Sequence, residues 1–238
     1  MSTFVLIHGA WHGAWCWRKV SSRLEKLGHA VIAPDLAGLG ADDTPLAHVS
    51  LQLWTQQVCR ILDSQAEPVM LVGHSRGGIV ISEVAEQRPD KIRELVYLTA
   101  FLVRNGECLF DLAQQDLSSL VPANMVMSPD KLFSTMREES LRDAFYGQCS
   151  AEDVALAHEL VRPEPTAPLA TPLRLTQENF GRVPRVYVQC LRDRAIPPAL
   201  QQQMYTATPC RVLCLDTDHS PFFSAPDELT AHLHALTR

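Results

Sequence analysis

Apolar positions along the chain alternate between two periods. Short apolar runs bounded by Gly, Pro or Asp read as buried strands. They are Phe4–His8 before Gly9, Ala30–Ala33 before Pro34-Asp35, Pro68–Val72, Ile92–Leu98, Arg185–Cys190 and Arg211–Leu215. Between them the spacing becomes helical. Over Trp17–Leu27, the residues Val20, Leu24 and Leu27 share a face and Gly28 marks a stop. Leu51–Leu62 gathers Leu51, Trp54, Val58, Ile61 and Leu62 on one side, and Ile79–Gln87 stops ahead of Pro89. Ala199–Tyr205 and Pro226–Leu236 read as helices in the same way. Strands separated by helices imply parallel strands joined by crossovers, so the expected class is α/β, with a mostly parallel sheet flanked by helices.

The alternation breaks after Phe101 and resumes near Pro184. The segment 104–183 is rich in Met, Pro and Gln, lacks buried-strand runs and predicts a helical insertion after the fourth strand. Ser128-Pro129-Asp130 looks like a helix start, with a capping residue followed by Pro. Ser150-Ala151-Glu152-Asp153 resembles a capping box, and Pro163–Pro172 an extended connection. The expected organisation is a core of residues 1–103 and 184–238 with a cap of residues 104–183. Phe110, Leu117, Met125, Met127 and Phe145 would serve either as an apolar wall of that cap or as its packing onto the core.

Composition narrows the function classes. The chain has 238 residues, 46% of them apolar, and a formal charge of −6. These are globular values, and no basic face of the kind that nucleic acid requires is present. No stretch is long enough to span a membrane, and the N-terminal apolar run is too short for a secretory leader. Seven cysteines without a C-x-x-C pair suggest reduced, structural thiols and a cytoplasmic location. Neither nucleic acid nor membrane is expected as a partner. Monomer and homodimer are equally compatible with the sequence.

One motif carries chemistry. Gly73-His74-Ser75-Arg76-Gly77 matches G-x-S-x-G, directly after a predicted strand and before a predicted helix. That is the context of a nucleophile elbow, where a sharp turn presents the serine and the helix N-terminus favours a developing oxyanion. A serine needs a base, and the base needs an orienting acid, in the chain order Ser, acid, His. Asp193 follows the strand ending at Cys190, and His219 follows the strand ending at Leu215. Asp216 and Asp218 are the alternative acids. His158, His232 and His234 suit surface or packing roles, whereas His8, His12 and His74 fall near the expected site. The oxyanion donors would be the amides of Arg76 and Ala10, with Gly9 allowing close approach. Gly9, Trp11 and His74 are the expected substrate-contacting positions. No metal or organic cofactor is implied.

These residues resemble the α/β-hydrolase superfamily. They are most similar to its branch of plant salicylate-binding and hormone methyl esterases, hydroxynitrile lyases and bacterial carboxylesterases. The resemblance runs through Val5-Leu6-Ile7-His8-Gly9-Ala10-Trp11-His12-Gly13-Ala14-Trp15, Ala33-Pro34-Asp35-Leu36-Ala37-Gly38, the elbow, Asp193-Arg194-Ala195-Ile196-Pro197 and Thr217-Asp218-His219-Ser220-Pro221. It implies a triad of Ser75, Asp193 and His219, oxyanion donors at Ala10 and Arg76, and a helical cap. The lyases that the chain resembles carry Thr where Gly9 stands and Lys where Ser220 stands. Lacking both, the chain fits a serine carboxylesterase for medium-sized apolar or aromatic esters, including methyl or pyrethroid-like esters. Hydroxynitrile lyase and a hydrolase-like small-ligand receptor are the alternatives. Arg76 departs from the apolar residue usual after the nucleophile. Its guanidinium would either pair with a carboxylate away from the cavity or favour an anionic substrate, while Trp11 would either narrow the cavity or pack under the cap.

Overall fold

The computed structural model describes residues 1–116 and 118–238, so Leu117 lies outside the described residues. The main sheet contains β1 (Thr3–Ile7), β2 (Ala30–Ile32), β3 (Val69–His74), β4 (Ile92–Leu98), β8 (Arg185–Cys190) and β9 (Arg211–Leu215). Their spatial order is β2-β1-β3-β4-β8-β9, and every adjacent pair is parallel. The helices, in chain order, are α1 (Arg18–Lys26), α2 (Leu51–Asp63), α3 (Gly77–Gln87), α4 (Leu109–Ala113), α5 (Leu120–Asn124), α6 (Leu141–Phe145), α7 (Ala151–Leu160), α8 (Pro198–Ala207), α9 (Pro221–Ser224) and α10 (Pro226–Ala235).

Strand alternation divides the apolar residues between two layers. Val5, Ile7 and Leu71 face Trp54 and Val58 of α2, Ile81 of α3 and Met204 of α8. Phe4, Leu6 and Val72 face Val20 and Leu24 of α1, Phe222 of α9 and Leu233 of α10. Burial on both faces explains why these strands read as continuous apolar runs. The chain order reverses between β1 and β3, which leaves a crevice beyond their carboxyl ends, where ligand sites of open α/β sheets form. Gly9-Ala10 and Ser75 follow those two strands.

Between β4 and β8 the chain leaves the main sheet. This segment is less purely helical than its composition predicts. It contains β5 (Met125–Met127), β6 (Phe133–Met136) and β7 (Glu164–Pro165), which form a three-stranded antiparallel sheet. Ser128-Pro129-Asp130 does not start a helix. Ser128 Oγ instead accepts from Phe133 N at 3.1 Å and donates to Asp130 at 2.6 Å, closing the turn from β5 to β6. Part of the Pro-rich connection becomes β7. Ser150 does cap α7, accepting from Asp153 N at 3.1 Å. Among the described residues, no helix is long and apolar enough to cross a membrane.

Candidate active site

Ser75 occupies the turn between β3 and α3, with φ of +52°. A left-handed backbone is costly for a residue with a Cβ, so the surroundings must hold it. Ser75 O accepts from Gly78 N at 3.1 Å and from Phe101 N at 3.0 Å. The close approach needs glycines on the helix side. A Cβ on Gly78 would lie 2.2 Å from Phe101 O, and one on Gly77 would lie 2.8 Å from Ile7 O.

Asp193 and His219, on the loops after β8 and β9, meet at this end of the sheet. His219 Nδ1 donates to Asp193 Oδ2 at 2.7 Å. Asp193 Oδ1 accepts from Ala195 N at 2.7 Å and Ile196 N at 2.8 Å, and Oδ2 accepts a further bond from the Thr99 hydroxyl. The carboxylate is fully occupied and fixed in direction. The two alternative acids are engaged elsewhere. Asp216 pairs with Arg192 at the surface. Asp218 accepts from Gln148 N at 2.7 Å, Ser220 N at 3.1 Å and Ser224 Oγ at 2.7 Å, pinning the β9 loop to the segment between α6 and α7.

Ser75 opens into a cavity of about 310 Å³. Ala10, Trp11 and Arg76 line it beside Ser75, and Phe101, Phe145 and Ile196 supply apolar wall. Gln114, Pro122 and Met127 also line it and are exposed, which locates its mouth. Gly9 and His74, expected at the substrate, do not line this cavity, and neither do Asp193 and His219. A Cβ on Gly9 would meet His74 Nδ1 at 2.8 Å and Ser75 Cβ at 2.9 Å, so this glycine lets the loop after β1 pass close against the turn at Ser75. His74 sits behind the turn, where Nε2 donates to the His219 carbonyl at 2.8 Å. The His74 side chain thus holds the His219 backbone. Burial, with His219 and His12 nearby, pushes the His74 pKa well below the ordinary imidazole value.

The Arg76 guanidinium turns away from the cavity and is 1% exposed. Its Nε lies 2.9 Å from Glu164 Oε1 on β7, an ion pair whose angle is too bent for a hydrogen bond. Its Nη2 donates to Gly9 O at 2.9 Å, and the group lies 4.2 Å over the Trp54 ring. Of the two readings of this arginine, pairing with a carboxylate is the one the structure contains. Burial pushes the Glu164 carboxyl up, and the Arg76 charge opposes that rise. Sequence reasoning named no partner for Arg76. Glu164 sits in a Pro-rich stretch far along the chain, and its only signal was the need of a buried arginine for an acid. Thr99 and the anchoring by Asp218 were missed as well.

A family model described as the alpha/beta hydrolase family matches residues 4–232. The chain belongs to that family. It is 35% identical to putative methylesterase 11, chloroplastic, of Arabidopsis thaliana over 99% of this chain, but it spans only 64% of that relative's length. Among solved structures, the methylesterase protein MES16 from Arabidopsis is 30% identical with a TM-score of 0.88, covering 100% of this chain and 99% of its own. A pyrethroid hydrolase from Sphingobium faniae JZ-2 is 29% identical with a TM-score of 0.88, covering 99% and 96%. Membership of the α/β-hydrolase family thus extends over nearly the whole chain.

Proposed function

We propose that this hydrolase is a serine carboxylesterase acting through an acyl-enzyme on medium-sized apolar or aromatic esters. The observation that carries this reading is that Ser75, held at φ of +52° after β3, and the bonded pair Asp193–His219 after β8 and β9 lie at one end of the sheet, where His74 beside Ser75 donates to the His219 carbonyl. Ser75 Oγ attacks the ester carbonyl while His219 Nε2 takes its proton. Asp193 keeps the Nδ1–H tautomer and stabilises the imidazolium. The amides of Ala10 and Arg76 receive the oxyanion, since both residues line the cavity beside Ser75. His219 then protonates the departing alcohol and activates the water that releases the acid.

The cavity of about 310 Å³ lies near the lower end of ligand sites, ~300–1,000 Å³, and suits a small aromatic or branched acyl group. Methyl esters and pyrethroid-like esters are the classes that the names of the relatives suggest. Cyanohydrin cleavage is disfavoured by Gly9 and Ser220. Free thiols at Cys16, Cys59, Cys108, Cys149 and Cys190, all buried, suit a reducing compartment such as the cytoplasm.

The test is turnover of p-nitrophenyl and methyl esters by wild type and Ser75→Ala. Hydrolysis should drop by several orders of magnitude in the variant. Retention of wild-type rates by Ser75→Ala would end the serine mechanism, and cyanide release from mandelonitrile without ester turnover would favour the lyase.

A further inference from the structure

A trans peptide is planar, so its C=O and the following N–H point in opposite directions. Fixing one therefore aims the other. The Gly9 carbonyl receives two donors, Arg76 Nη2 at 2.9 Å and His8 Nδ1 at 2.9 Å. His8 is itself held, because its Nε2 accepts from Leu36 N at 3.1 Å. The same peptide carries the Ala10 N–H. The next peptide is gripped from both sides: His12 Nδ1 donates to Ala10 O at 2.6 Å, and Trp11 N donates to Glu164 Oε2 at 2.9 Å.

Glu164 thus holds Trp11 N with one oxygen and faces Arg76 with the other. The ring of contacts passes from the turn at Ser75, through the Arg76 side chain, to the loop after β1, and through Glu164 to the second sheet. Trp54 under the guanidinium leaves it little freedom to rotate.

We propose that the Arg76 side chain, braced by Glu164, is a positioning group that aims the Ala10 amide at the oxyanion. The residue would then act twice, its own amide as one donor and its guanidinium as the clamp on the other. This role presupposes the carboxylesterase reading. It differs from a purely structural ion pair in what it controls. Misaiming one donor weakens the transition state more than the bound ester, so kcat should change and KM should not.

The decisive variant is Arg76→Met combined with Glu164→Gln. It removes both buried charges together and keeps an acceptor for Trp11 N. Arg76→Lys is the second variant, should the pair fail to fold: it keeps a positive charge near Glu164 but cannot reach Glu164 and Gly9 O together. In either, kcat should fall on the order of 10- to 100-fold, less than the ~10²–10³-fold of an oxyanion donor removed outright, with KM within about 3-fold. The Ki of an aryl trifluoromethyl ketone, which forms an oxyanion adduct on serine, should rise in parallel with the loss in kcat. Amide hydrogen exchange at Ala10–Trp11 should quicken about 10-fold or more. A folded variant with kcat and ketone affinity within about 2-fold of wild type, or with only KM raised, overturns the role. Wild type without ester turnover would instead defeat the carboxylesterase reading. The exchange rates then judge the clamp alone, faster exchange supporting it and unchanged exchange overturning it.

Discussion

Acid should destabilise this fold through its buried imidazoles, and His12 sets the scale. His12 is 1% exposed, donates Nδ1 to Ala10 O and accepts at Nε2 from the Tyr146 hydroxyl at 2.7 Å. The ring has no room for a second proton without breaking the Tyr146 bond. Burial lowers its pKa to about 4; the bond to Ala10 opposes the fall, and the nearby His219 and Arg76 add to it. In the unfolded chain a histidine titrates near ~6.5. Between those two values the unfolded state binds a proton that the folded state does not, so stability is lost as pH falls. The full interval is worth about 3 kcal/mol, of which about 2 kcal/mol falls between pH 7 and pH 5. For a chain of this size that is a drop in Tm of about 4–8 °C. His8 and His74 are pushed well below their ordinary values by burial and add to the loss in the same direction. The assay is urea unfolding at pH 7 and pH 5 for wild type and His12→Gln. Wild type should lose at least about 2 kcal/mol, and the variant, though weaker at pH 7, should lose about 2 kcal/mol less over the same interval. A wild-type loss below about 1 kcal/mol, or parallel losses in both proteins, would refute the reasoning.

Two further outcomes follow from geometry. Gly78→Ala would place a methyl 2.2 Å from Phe101 O, a backbone atom that cannot swing aside, so unfolding free energy should drop by about 1–3 kcal/mol or more in the same urea assay. Trp11 lines both the cavity of about 310 Å³ and an adjoining hollow of about 230 Å³. Trp11→Leu should therefore shift kcat/KM toward longer acyl chains, by about 10-fold in the octanoate-to-acetate ratio of p-nitrophenyl esters; an unchanged ratio would mean that the indole does not bound the acyl site.

Legibility from sequence followed burial. The predicted bounds Ile92–Leu98, Arg185–Cys190 and Arg211–Leu215 coincide with β4, β8 and β9. For β4 and β8, sandwiched between helical layers, the cause is a run of apolar residues with a sharp end. Asp193 and His219 could be located because the topology fixes which loops reach the end of β3. The second sheet was not legible, because β5 is largely exposed and β7 is two residues long and ends in Pro. Strands of two or three residues show no alternating face, and the Pro of β7 is disfavoured in a sheet. Glu164 escaped for a related reason. Its role depends on a guanidinium brought near by tertiary folding, and no local spacing encodes that. His74 was assigned to the substrate by its adjacency to Ser75, whereas the sharp turn there sends neighbouring side chains to opposite sides.

The strand carrying Glu164 also decides how molecules reach Ser75. Lifting β7 away from the main sheet would separate a fully buried ion pair, at a cost of about 3–5 kcal/mol, and release the Trp11 amide as well. Glu164 anchors the segment between β4 and β8 to the loop after β1. The exposed rim at Gln114, Pro122 and Met127 is built without the Arg76–Glu164 pair, so molecules can cross it while the bonds around Gly9 and Ala10 stay made. A site built this way can exchange its ligands without dismantling the loop that carries the Gly9 and Ala10 peptides.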